Sequence, residues 1–297
     1  METGVRSATA DFAALMRAAH HQLDHAPKLL EDSLALRLGG LNSADELLQV
    51  TGKIGSELAA RLPGSSGEAL MRDTRAAIAV RSCIAEGRLR EALARGVRQY
   101  VILGAGLDSS AYRLARELEG CTVFEVDFPA TQEWKRARLQ ELGISERDSL
   151  HFVAIDFEKE SLFDRLQAAG FDLARPAFFS WMGVVWYLSE PSFYATLKAV
   201  AGAAPGSEIV FEYPVSAAHV QAEDRPLAAM IRMLGAARGE PVGPGFDPAP
   251  LVAAVRDLGF DTVTDLSYSQ IQARYFDDRS DGLRMPGIGH LMIASRH

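Results

Sequence analysis

Cysteine is nearly missing from this chain: Cys83 and Cys121 are the two in 297 residues. They stand in unrelated segments with no CxxC pair and no Cys/His spacing. Neither a disulfide framework nor a zinc site is expected, and both read as free, buried thiols. Positive charge is short as well, with 31 Lys and Arg against 39 Asp and Glu and a formal net charge of −8. No basic run offsets that balance, which works against a nucleic acid as partner, because such binding rests on clustered cations that displace counterions. No stretch reaches the ~18 consecutive apolar residues of a membrane span. The opening METGVRSATADFAALMRAAH lacks the apolar core and small-residue cleavage site of a secretory signal. A cytoplasmic protein with no nucleic-acid or membrane partner is therefore expected. His20, His21, His25, His151, His219, His290 and His297 show no metal-ligand spacing, and no metal is expected; His219 alone falls where a base over a site would sit. Repeats and low-complexity tracts are absent too. With 48% hydrophobic and 24% charged residues, the chain reads as folded throughout and long enough for one large core.

Residues 1–95 contain no convincing strand. DELLQVTGKIGSELAARL and EALMRDTRAAIAVRSCIAEGRLREALARG repeat apolar positions at three- and four-residue spacing, as amphipathic helices do, and Pro63-Gly64-Ser65-Ser66-Gly67 separates them. From Gln99 onward, β-branched apolar runs alternate with helical stretches. YVILGAG leads to a helix ending about Leu118, CTVFEVD to one through WKRARLQEL, LHFVAID to one near SLFDRLQAA, and AFFSWMG to one near PSFYATLKAVAG. SEIVFEY then opens a helical stretch to about Arg238, followed by a helix from Pro248 to Leu258, DTVTDLS and the closing GHLMIASRH. This grammar predicts an α/β protein: a Rossmann-like, doubly wound, mostly parallel sheet with an antiparallel C-terminal strand over residues 96–297, and a helical lead-in over 1–95. The stretch from about 213 to 250, rich in Pro and Gly, is longer than a usual crossover and reads as a helical insertion placed to act as a lid, or as a surface excursion.

In such sheets ligands bind beyond the carboxyl ends of the strands. There YVIL runs into Gly104-Ala105-Gly106 and Asp108. Glycines at this bend allow the backbone to approach a ligand that a Cβ would obstruct, or they simply turn a corner. Two further acids favour the ligand. CTVFEVD ends in Glu125-Val126-Asp127, about 20 residues beyond the glycines, where a carboxylate meets ribose hydroxyls. LHFVAID ends in Asp156-Phe157, an acceptor for an adenine amine beside an aromatic ring. Each acid taken singly also reads as a solvated strand end; the series at successive strands does not.

A dinucleotide fits these residues poorly. Its fingerprint needs a third glycine, where this chain has Ser109, and an uncharged helix start, where Asp108 would repel a pyrophosphate. S-adenosylmethionine carries no phosphate and presents a sulfonium and an ammonium, which an acid-lined loop suits, together with a carboxylate that Arg81 could meet. An NAD-dependent oxidoreductase and a non-catalytic S-adenosylmethionine-binding protein stand as alternatives.

The combination resembles class I S-adenosylmethionine-dependent O-methyltransferases of the leucine carboxyl methyltransferase superfamily, nearest to its bacterial branch of polyketide and tetracenomycin-type carboxyl O-methyltransferases. RSCIAEG is similar to that family's Arg-Thr motif and ILGAGLDSSAYRL to its glycine motif. FEVDFPATQEWKRARL, SWMGVVWYLSE, FDPAPLVAAVRDLGF and ARYFDDRSDGLRMPGIGHLMIA follow in the family's order. Ser82, Cys83 and Glu86 depart from the Thr, basic residue and Asp usual there. The resemblance implies that Arg81 pairs with the methionine carboxylate, that Gly104, Ala105 and Gly106 form the cofactor loop, that Asp127 holds the ribose, and that Asp156 and Phe157 flank the adenine. It also implies methyl transfer to an oxygen, a carboxylate first, of a small-molecule or natural-product acceptor. Tyr112, Arg113, Trp181, Trp186 and Tyr187 are the candidates to position that acceptor; core packing, or for Arg113 a surface position, is the competing reading of each.

Overall fold

Four helices precede the first strand in the computed structural model, which describes residues 7–62, 64–237 and 239–297. The first six residues of the opening segment, Pro63 of the helix-separating loop and Arg238 at the expected helix end lie outside the described residues. Three of the four start on a serine whose hydroxyl accepts the backbone N–H three residues on. These are α1 (Ala8–Leu23) on Ser7, α3 (Ala44–Arg61) on Ser43 and α4 (Gly67–Ala94) on Ser66. A single turn, α2 (Ala35–Leu38), lies between α1 and α3.

All seven apolar runs form strands: β1 (Gln99–Leu103), β2 (Thr122–Asp127), β3 (Leu150–Ala154), β4 (Phe178–Trp181), β5 (Glu208–Pro214), β6 (Thr262–Leu266) and β7 (Gly289–Ser295). Their order is β3-β2-β1-β4-β5-β7-β6. β1 to β5 run parallel, and β7 lies antiparallel between β5 and β6. The two-residue pleat splits each strand between two cores. Val101, Leu103, Phe124, Val126, Phe179, Trp181, Phe211 and Tyr213 enter one; Tyr100, Ile102, Val123, Phe178, Val210 and Leu291 enter the other. Helices cover both, so the sheet is doubly wound. α4 lies on the second face, and α7 (Leu162–Ala168), α8 (Glu190–Ala201), α9 (Arg225–Ala237) and α10 (Pro248–Asp257) lie on the first. The strand order turns between β1 and β4, which is where such sheets open a crevice. No helix among the described residues is long and apolar enough to cross a membrane.

Two helices differ from expectation. The helix after β1 is a single turn, α5 (Ser110–Arg113), and the chain continues as turns to Gly120. Arg147 explains the early end, because its guanidinium donates to the carbonyls of Ala111 (2.9 Å) and Ala115 (3.2 Å), which a continued helix would use itself. With α6 (Pro129–Glu141) following β2 as expected, the last helix, α11 (Tyr268–Tyr275), is one the hydrophobic pattern did not announce. Its signal is the reciprocal capping box of Ser267 and Gln270.

Arg113 does a different task from the one expected of it. Its Nε lies 2.7 Å from Ser109 Oγ and 3.3 Å from Asp32 Oδ1, and its Nη2 donates to Glu86 Oε1. Asp32 also takes Arg17 Nε at 2.9 Å, Ser109 Oγ at 2.7 Å and the Ala35 amide at 3.0 Å. Burial alone would raise the Asp32 pKa, but Arg17 and Arg113 outweigh it and hold the carboxyl below its usual range. This buried knot fastens the helical lead-in to the loop after β1. Arg113→Met should therefore destabilise the protein by about 3 kcal/mol, the usual cost of leaving buried charges unpaired. Urea unfolding checks this, and a change within about 0.5 kcal/mol would fit only a surface arginine.

Candidate functional site

A cavity of about 530 Å³ opens at the carboxyl ends of the strands, walled by Leu103, Asp127, Ser180 and Glu212 from the sheet and by Ile155 just past β3. The glycine loop forms its floor. Gly104 N and Ala105 N both donate to Val126 O, at 2.7 and 3.0 Å, and Gly106 N donates to Asp127 Oδ2. The loop is thus folded back on the end of β2. Gly104 (φ +65°) and Gly106 (φ +46°) occupy backbone space that glycine takes readily. A Cβ on Gly104 would sit 2.1 Å from a methyl of Val184, so the close approach itself requires glycine.

Asp127 receives a second amide, Phe128 N, at 2.6 Å. Burial pushes its carboxyl up to about 6, even though the Gly106 and Phe128 amides favour the ionised form. Each oxygen has spent one lone pair on the backbone and keeps another for a ligand hydroxyl. Glu125, two residues earlier, is turned away from the wall and salt-bridged to the buried Lys135 at 2.6 Å, whose Nζ also donates to Asp108 O at 2.7 Å. Burial raises Glu125 to about 6, with Lys135 opposing.

Arg81 reaches the wall from α4. Its Nη1 donates to Glu212 Oε2 at 2.6 Å, and the same oxygen accepts Trp186 Nε1 at 3.2 Å. Gly183 makes room for the guanidinium; a Cβ there would come within 2.6 Å of Arg81 Nη2. Arg81 Nε is buried on this wall with no acceptor among the described residues, a donor suited to a ligand carboxylate.

Asp156 and Phe157 line the opposite side. Asp156 accepts the Glu158 amide at 3.1 Å and pairs with Lys159 at 2.9 Å. Its partial burial raises the pKa, but Lys159 and that amide outweigh it and the carboxyl lies below its usual range. Glu158 accepts Ser189 Oγ and Ser192 Oγ, both at 2.8 Å, tying this loop to the start of α8.

Arg81, Gly104, Ala105, Gly106, Asp127, Asp156 and Phe157 therefore meet in one wall, with Trp186 and Tyr187 beside them. Tyr112 and Arg113 do not reach it. The Tyr112 ring lies 5.4 Å from Lys135 Nζ, beneath the loop, and Arg113 is held in the Asp32 knot. Trp181 is fully buried and stacked on Phe193 at 5.7 Å. His219 is exposed, 3.2 Å from Asp247 Oδ1 and off the wall. Sequence reasoning missed Glu158, Gly183, Glu212 and Glu240, as well as Thr9, Ala10 and Ala13 of α1. Glu212 carried a signal, an acid inside the apolar run SEIVFEY, but Glu125 in CTVFEVD carries the same one and turns elsewhere.

The wall holds six acids, Asp108, Asp127, Asp156, Glu158, Glu212 and Glu240, against Arg17 and Arg81. That set suits a nucleoside bearing positive charge and opposes a pyrophosphate. Its apolar parts include Ile78, Met230, Ile231, Leu234 and Ile288.

Comparison with known proteins agrees with this chemistry. The Bacillus subtilis protein YktD, named as an S-adenosyl-L-methionine-dependent methyltransferase, is 29% identical over 293 residues, 95% of each chain. A Mycobacterium bovis protein of the same description is 32% identical over 205 residues, 69% of this chain and 51% of that one. A crystal structure of a Thermobifida fusca protein described as a methyltransferase shares the fold, with a TM-score of 0.56 and 19% identity over 97% of both chains. The family model for leucine carboxyl methyltransferase matches residues 10–201. The chain belongs to the leucine carboxyl methyltransferase family and is an S-adenosylmethionine-dependent methyltransferase.

Proposed function

We propose that the methyl group goes to an oxygen of a small-molecule acceptor, a carboxylate first, in natural-product chemistry such as polyketide tailoring. The observation that supports this is how the titratable groups of the wall are engaged. Asp108 accepts from Ser110, Asp156 from Lys159, Glu158 from two serines, Glu212 from Arg81 and Trp186, and Arg17 donates to Asp32. No His or Lys lines the cavity among the described residues. Apart from Asp127, which the backbone holds, and Glu240, the wall's charged groups are committed to partners in the protein, which suits an acceptor that needs no general base, and a carboxylate with a pKa near ~4 is already ionised at neutral pH. A phenol would need help in losing its proton. The charge balance of −8 and the apolar cavity wall support a small acceptor over a nucleic acid or a membrane, and a cytoplasmic setting.

Bound S-adenosylmethionine supplies a methyl group on a sulfonium, an electrophile that needs no further activation. The residues of the chain bind and orient. Asp127 accepts ribose hydroxyls, Arg81 meets the methionine carboxylate through the donors Glu212 leaves free, and Asp156 with Phe157 flanks the adenine. Trp186 and Tyr187 border the acceptor, and Met230, Ile231 and Leu234 exclude water. Holding two reactants in line contributes on the order of 7 to 11 kcal/mol of barrier reduction. The NAD alternative is disfavoured by Asp108 and by the family.

Methyl-labelled S-adenosylmethionine, incubated with a panel of aromatic and aliphatic acids and phenols, is expected to label acids. The label should return as methanol under mild alkali, as esters require; label that survives alkali would move the target to a hydroxyl. A second prediction concerns pH. Asp127, raised to about 6, accepts hydroxyls best when ionised, so S-adenosylhomocysteine affinity should be full near pH 8 and fall as pH drops through 6. The loss at pH 5 is about tenfold for one proton. Asp127→Asn should bind more weakly at pH 8 by about 1 to 3 kcal/mol and lose that pH dependence. An unchanged pH profile in Asp127→Asn would assign the titration to another group, Glu125 included.

A further inference from the structure

One wall acid is unlike the rest. Glu240 comes from the segment between α9 and α10, which is fastened on both sides of it. The Glu240 amide donates to Gly235 O at 2.9 Å, and Gly243 N donates to Trp186 O at 2.9 Å. The approach at Gly235 is close, since a Cβ there would lie 2.5 Å from Glu240 O. These contacts set the residue into the cavity with 7% exposure. The other five acids of the wall each accept a hydrogen bond from the protein: Asp108 from Ser110, Asp127 from Gly106 and Phe128, Asp156 from Glu158, Glu158 from Ser189 and Ser192, and Glu212 from Arg81 and Trp186. Glu240 Oε2 is buried and has no donor among the described residues. A buried carboxylate oxygen without a donor is costly, so this position calls for a donor that comes with the ligand.

The placement indicates which donor. Glu240 and Asp127 line the same cavity, and the charge of Glu240 pushes the Asp127 carboxyl further up. Asp127 has already given one lone pair of each oxygen to the backbone. A ribose offers two adjacent hydroxyl donors, and with one lone pair left on each Asp127 oxygen a second carboxylate lining the cavity can share them. We propose that Glu240 is a second ribose-binding carboxylate, which accepts from the vicinal diol across the cavity from Asp127 and makes the segment between β5 and α10 part of the nucleoside site. The proposal rests on the cofactor occupying this cavity, and the test separates the two.

The experiment is calorimetric titration of the full chain with S-adenosylhomocysteine and with its 2′,3′-dideoxy analogue. Glu240→Ala should weaken S-adenosylhomocysteine about tenfold, the worth of a lost hydrogen bond to a charged group, and leave the analogue within about twofold. Glu240→Gln, which keeps the shape and one acceptor, should fall between and covers the case of an alanine variant that does not fold. Equal weakening of both ligands would make Glu240 a structural support and overturn the proposal, as would no weakening of either. Wild-type protein that binds neither ligand would instead remove the cofactor from this cavity altogether.

Discussion

The site depends on one folding constraint: the backbone leaving β1 bends back so that three successive amides, those of Gly104, Ala105 and Gly106, all point at the end of β2. Two of them share the Val126 carbonyl and the third takes the Asp127 carboxylate. Because the loop is held against β2 and Asp127 is fixed by its own loop, ligand binding does not have to order either. The cost is a buried carboxyl whose pKa is raised to about 6. Buried carboxyls with raised pKa values of this kind cluster at functional sites.

The far wall is built by α4 across the sheet. Arg81 and Arg88 lie seven residues apart on one side of the helix, about 10.5 Å along its axis. They meet Glu212 and Glu208, four residues apart on one face of β5 and about 13 Å apart along the strand. Arg81 pairs with Glu212 at 2.6 Å and Arg88 with Glu208 at 2.6 and 2.8 Å. The helical lead-in is therefore not an appendage to the sheet. It carries an arginine into the cavity, and the Asp32 knot holds α1 and α5 in place around it.

Charge then selects the ligand. Most wall acids are tied to a donor in the protein, and acceptor capacity remains at Asp127 and Glu240, while donors remain on Arg81, its buried Nε among them. A nucleoside with hydroxyl donors, a carboxylate and positive charge fits those vacant valences; a pyrophosphate does not.

The seven strands, the glycine bend and the acids at successive strand ends were legible in the sequence, because β-branched runs, glycine torsions and strand-end positions act over a few residues. The pair VFE in β2 and VFE in β5 marks where local information stops. Both glutamates are buried in one sheet face, yet Glu125 meets Lys135 and Glu212 meets Arg81, a difference made by which helix crosses above. Arg113 likewise resembled a ligand clamp in sequence and became a tie between distant segments. The sequence by itself determined the order of elements and the glycine loop that floors the cavity. Only the tertiary structure decided which charges are spent on one another and which, like Glu240, remain for a ligand, since pairing depends on distances between segments that are far apart along the chain.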